Sequence, residues 1–171
     1  MMYYKLVGSG MILASTAWAG FHAALRLRRT QEELRDLCAA LELMAGEIRF
    51  AAPPLAPLCR RAGEGRCPGV KGFFAILARE AEKPELALEG MSALACREAG
   101  MALPGEALRA LARLFDGFGR LDREAQLRQI ELAAAQLRQL SGELSQQMDS
   151  RCRSLRMLGL TAGAAVLVLV L

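Results

Sequence analysis

The stretch Leu6 to Leu25, LVGSGMILASTAWAGFHAAL, carries no formal charge over twenty residues. As a helix it would rise about 30 Å, the thickness of one hydrocarbon core. A second uncharged stretch, Met157 to Leu171, lies at the other end. It would rise about 22 Å, a short span that a bilayer meets by local thinning or by the apolar residues around Leu155. The charges sort with these two ends. All 18 acidic residues lie between Glu32 and Asp149, and of the 22 basic residues only Lys5 falls outside 26–156. Arg26, Arg28 and Arg29 follow the first stretch, and Arg151, Arg153 and Arg156 precede the second. The middle therefore holds 21 basic against 18 acidic residues, and without the six flanking arginines 15 against 18. The basic balance is a membrane-flank effect, which removes the support for nucleic-acid binding.

The positive-inside rule then divides the chain into a transmembrane anchor over 1–25, a cytoplasmic helical domain over 26–156 and a second anchor over 157–171. The arginine clusters also suit contact with anionic lipid headgroups. The rival arrangement is an exported helical binding module held by its tail. MMYYK would be the charged start of a leader, LVGSGMILAST its apolar core, and Ala17-Trp18-Ala19 a cleavage site. The arginines directly after that site oppose export.

Between the ends the composition favours helices. Aromatic residues make up 5% of the chain, too few to suit strands. The apolar positions Leu34, Leu37, Leu41, Met44 and Ile48 step by three and four, which places one stripe along one helix face. Nothing interrupts the pattern from the first uncharged stretch, so one continuous helix is expected, stopped by Pro53 and Pro54. Shorter helices follow. One runs from Leu55 to Ala62. A loop covers Gly63 to Gly69, and a helix from Val70 to Ala81 presents Phe73, Phe74, Leu77 and Ala78. Pro84 opens the next, presenting Leu88, Met91, Leu94 and Ala95 before Gly100, and Pro104 another, with Leu108, Leu111, Leu114, Phe115 and Phe118.

The segment FGRLDREAQLRQIEL, Phe118 to Leu132, is a corner. Gly117 and Gly119 end one helix. Asp122 stands at the N-cap position of the next, where a carboxylate can accept free amides, and Glu124 favours the positive end of the helix dipole. Beyond it Leu127, Ile130, Ala134, Leu137, Ser141, Leu144, Met148, Arg151 and Leu155 form a second stripe. Two long helices each carry an apolar face that neither can bury alone, and the short helices supply the partners.

Chemistry-bearing residues are sparse. The one histidine, His22, lies in the first uncharged stretch, at the expected interface. The five cysteines, Cys38, Cys59, Cys67, Cys96 and Cys152, have no tight pairing pattern and suit reduced thiols. No phosphate-binding glycine loop and no Cys/His ligand pattern occurs, so neither a catalytic site nor a cofactor nor a metal is expected. Most carboxylates fall on solvent faces of the stripes.

The pieces TAWAGFHAALRLRRTQEELRDLCAALELMAGEI, PPLAPLCRRA, FFAILA, FGRLDREAQLRQIELAAAQL and SLRMLGLTAGAAVLVLVL, in that order and spacing, resemble the stage III sporulation protein AB family of endospore-forming bacteria. The likeness spans essentially the whole chain, and it rests on layout rather than on one strict signature. Asp122, Arg123 and Gln126 match the family's D-R-x-x-Q pattern, and Gly119 matches the glycine before it. Phe115 stands near the place of a further family glycine. The resemblance implies an all-α helical bundle similar to the cytoplasmic domains of type II secretion platform proteins, with a transmembrane helix at each end. It implies a non-enzymatic sporulation scaffold in the channel between mother cell and forespore, in the outer forespore membrane with its domain on the mother-cell side. The implied partners are the sporulation ATPase AA, other channel proteins and membrane lipids. The positions Gly119, Asp122, Arg123 and Gln126 are then either a helix corner or a partner contact.

Overall fold

The computed structural model describes the backbone of residues 2–51, 53–83, 90–118 and 122–170, and the side chains of 25–51, 53–83, 90–118 and 122–146. Six helices account for almost all of it: α1 (Met2–Phe50), α2 (Leu55–Gly63), α3 (Pro68–Ala81), α4 (Met91–Glu98), α5 (Gly105–Gly117) and α6 (Arg123–Val170). No strand occurs among the described residues.

α1 runs unbroken to Phe50, as its uninterrupted pattern requires, and stops before Pro53 and Pro54. Its 34-37-41-44-48 stripe is buried throughout. On α6 the facing positions Ile130, Ala134 and Leu137 are buried, joined by Ala133. The two helices run antiparallel and make the most extensive helix contact of the fold. Arg49 pairs with Glu131 at 2.9 Å, Arg138 pairs with Glu42, and the Cys38 thiol faces the Ala134 carbonyl.

The short helices close a ring. Each packs on the next, from α1 through α2, α3, α4 and α5 to α6, and α3 also touches α1. The centre is aromatic: Phe73 meets Phe74 and Phe115 edge-on, with ring centroids 5.1 and 5.8 Å apart. α2 and α3 approach closely at Gly63, where an added Cβ would lie 3.1 Å from that of Phe74.

Three local expectations are corrected. The loop expected over Gly63–Gly69 shrinks to 64–67, because α2 keeps Gly63 and α3 starts at Pro68, whose missing amide hydrogen costs nothing in a first turn. On α4, Ala95 is buried as expected, but Leu94 is 42% exposed, and Ser92 and Cys96 face inward in its place. The exit of that helix is set by Gly100 at φ +66°: its amide bonds Arg97 O and the Met101 amide bonds Cys96 O, a Schellman ending. The start expected at Pro84, with Leu88, lies outside the described residues, and the helix is described from Met91.

The third concerns one acid, since most of the described carboxylates are exposed as expected. Glu33 is only 2% exposed. Its Oε1 accepts from Arg29 Nε at 3.1 Å and its Oε2 from the Ala102 amide at 3.1 Å. One turn on, Asp36 Oδ2 accepts the Cys67 amide at 2.6 Å. Two acids of α1 therefore hold down the loop before α5 and the loop before α3, donors that those short connections leave unpaired.

Candidate functional site

The ends of three helices meet at the corner. α1 finishes at Phe50, so carbonyls of its last turn lack helical partners. Arg123, the first residue of α6, supplies them: its Nε donates to Ile48 O at 2.9 Å, and its Nη2 donates to Arg49 O. A guanidinium is well suited there, since it also opposes the negative end of the α1 dipole. Gln126, one turn further, donates from Nε2 to Phe118 O at 2.7 Å and so closes the end of α5. Asp122 accepts the first α6 bond through its backbone carbonyl, from the Gln126 amide at 2.9 Å. Its side chain is exposed, and its carboxylate takes no hydrogen bond among the described residues. Arg123 and Gln126 thus tie the corner through side chains, while Asp122 contributes only backbone. Gly119 lies outside the described residues.

The arginines flanking the two uncharged stretches divide. Arg29 is tied into the domain by Glu33 and by Gly100 O at 3.2 Å, beside Thr30, whose hydroxyl donates to Ala102 O at 3.0 Å. Arg26 and Arg28 are exposed. The side chains of Arg151, Arg153, Arg156 and His22 lie outside the described residues. So do those of the uncharged stretches 6–25 and 157–171, apart from exposed Leu25. Among the described residues no helix is long and apolar enough to cross a membrane.

Four thiols are described, all free. Burial pushes Cys59 and Cys96 up to about 12, Cys96 with a smaller contribution from the nearby Glu33 charge. Burial also raises Cys38 and Cys67. A thiol held protonated is a poor nucleophile and a poor ligand. Among the described residues no group of three or more His, Cys, Asp or Glu is placed to hold a metal ion. Brief treatment of the folded chain with N-ethylmaleimide at neutral pH should leave Cys59 and Cys96 unmodified, and treatment in guanidinium should modify both. Peptide mapping checks this, and modification of either in the folded chain would contradict their burial.

A second feature escaped the sequence reading. Between α5 and α6 lies a groove of about 320 Å³ lined by Glu106, Arg109, Arg113, Gln136, Leu140 and Glu143, among others. It continues past Arg113 and Gln136 into a recess of about 150 Å³ beside Leu132 and Gln129. The sequence signal is the spacing of Arg109 and Arg113, four apart on one helix face, which looks like any solvated surface until the neighbouring helix is placed.

The whole architecture has counterparts. A family model described as stage III sporulation protein AB matches residues 5–171. "Stage III sporulation protein AB" of Bacillus subtilis (strain 168) is 22% identical over 169 residues, covering 98% of this chain and 99% of that protein. A solved structure titled "Stage III sporulation protein AB (SpoIIIAB)" superposes with a TM-score of 0.63 at 19% identity, over 71% of this chain and 97% of that one. At that identity the superposition speaks for the fold, and the family match, running nearly end to end, speaks for the lineage: the chain belongs to the stage III sporulation protein AB family, whose role is in sporulation.

Proposed function

We propose that this chain is a non-enzymatic, membrane-anchored scaffold of the channel between mother cell and forespore, tying a cytoplasmic ATPase, the sporulation ATPase AA, to the membrane. The observation that carries this reading is the antiparallel pairing of α1 and α6, locked at its far end by Arg123. In such a pair the start of α1 and the end of α6 lie at one end, and the ring of short helices projects from it. Two apolar ends flanked by arginines then enter one bilayer from the same side. The domain would stand in the mother-cell cytoplasm, with the anchors in the outer forespore membrane. The unbroken course of α1 through Ala17-Trp18-Ala19 favours a retained anchor over a cleaved leader. The protonated thiols fit a domain held by packing rather than built for chemistry.

Two measurements test the reading. In a cysteine-free background, Arg60→Cys should be shielded from an impermeant thiol reagent in intact cells and Tyr3→Cys should be labelled. The reverse pattern would invert the topology, and a mature chain beginning after Ala19 would establish the exported alternative. Affinity capture of the tagged chain from sporulating cells should bring down ATPase AA and channel proteins. Capture of channel proteins without the ATPase would confine the scaffold to the membrane layer.

A further inference from the structure

The α5/α6 groove has the character of a docking site, and its chemistry says what kind. Arg109 and Arg113 are exposed, one helical turn apart, and neither forms an ion pair among the described residues, although Glu106 and Glu143 line the same groove. Across from them α6 presents Leu132, Gln136 and Leu140 in steps of four. Leu132 is 64% exposed, and Leu140 is only partly covered by the core. Deeper in the recess, the buried Oε1 of Gln129 has no hydrogen-bond partner among the described residues. A buried amide oxygen left without a partner is costly, and a donor from outside would relieve it.

We propose that this groove receives an amphipathic helix of a partner protein, with two carboxylates one turn apart pairing with Arg109 and Arg113 and an apolar stripe covering Leu132 and Leu140. A cleft between two antiparallel helices takes a third helix along its length, and guanidiniums at this spacing match carboxylates at the same spacing on the incoming helix. Glu106 and Glu143 stand at the end of the groove nearest the start of α5. They would repel a third carboxylate there and accept a basic residue, so the partner's charge order fixes its direction. A second copy of this chain is a poor occupant. Among the described residues none of its helices presents two free, exposed carboxylates one turn apart: Glu32 has Asp36 at that spacing, but Asp36 is half-buried and holds the Cys67 amide. The proposal concerns a different face from the corner and holds whichever channel protein supplies the helix.

The test uses the full chain in phosphatidylcholine nanodiscs. The probe is a fluorescent, hydrocarbon-stapled amphipathic helix with two glutamates one turn apart beside a leucine stripe. Anisotropy should show saturable binding to the wild type. The same peptide with lysines for the glutamates should bind at least about tenfold more weakly, a comparison that needs no variant of the protein. The double change Arg109→Glu with Arg113→Glu should invert that preference, with Arg109→Gln and Arg113→Gln as the milder pair should the reversal disturb folding. Equal affinity for the two peptides would overturn the proposal, and so would the absence of saturable binding. A dimer in sedimentation that Arg113→Glu dissolves would also overturn it, by making a second copy the occupant.

Discussion

Leu41→Asp should abolish the folded domain, while Glu42→Ala, its immediate neighbour, should leave it nearly untouched. Leu41 is fully buried on the α1 stripe. A carboxylate there has no partner, and burying one costs several kcal/mol, a large share of the roughly 5–15 kcal/mol that holds a typical domain together. Protonating it would still leave a polar group in an apolar layer beside a void where the leucine packed. Glu42 points the other way and pairs with Arg138, with both side chains more than half exposed. Such pairs contribute about 0–1 kcal/mol. Thermal melts of the full chain in mild detergent, followed by helix signal, compare the two variants directly. Equal melting temperatures would show that the stripe is not a core.

Arg123→Glu should lower the melting temperature by several degrees, and Asp122→Ser by almost nothing. The arginine satisfies two carbonyls at the end of α1, and a carboxylate in its place would face those oxygens at the negative end of a helix dipole. Arg123 is exposed, so water recovers part of the loss. A cost of about 1–2 kcal/mol is expected, or roughly 2–8 °C for a chain of this size. Asp122, by contrast, offers no side-chain cap among the described residues, so Asp122→Ser or Asp122→Ala should stay within about 0.5 kcal/mol. Both variants should also be scored for spores. A sporulation defect in Asp122→Ser at unchanged stability would make that carboxylate a partner contact. A similar melting temperature for Arg123→Glu and the wild type would remove the arginine from the corner.

Both experiments turn on residues that look alike in one dimension. Leu41 was legible because burial on a long helix repeats every three or four residues, and the repeat survives any detail of packing. Asp122 and Arg123 were legible as a corner from the glycines around them. Which of the two side chains ties the corner was not, since it depends on where the end of α1 comes to rest, some seventy residues back along the chain. Glu33 and Asp36 were missed for the same reason. Their sequence neighbourhood is that of a solvated helix face, and their partners are backbone amides at Ala102 and Cys67. Leu94 was misplaced because a helix as short as α4 carries too few turns to fix which face is inward, and its neighbours chose Ser92 and Cys96 beside the expected Ala95.

The sequence by itself therefore determined what is local or periodic: an all-helical chain, two long helices, the first ended by prolines and the second opened after glycines, their apolar stripes, and the sorting of arginines to the two ends. Helix propensity, chain breaks and amphipathic spacing are properties of neighbouring residues, and they persist whatever the rest of the chain does. Tertiary structure alone decided the rest. Arg123 finds the end of α1, Glu33 and Asp36 find the loops, and Arg109 and Arg113 find Gln136 and Leu132 across a groove, because hydrogen bonds and grooves require atoms from distant segments within a few ångströms. That proximity arises only when the ring of helices closes.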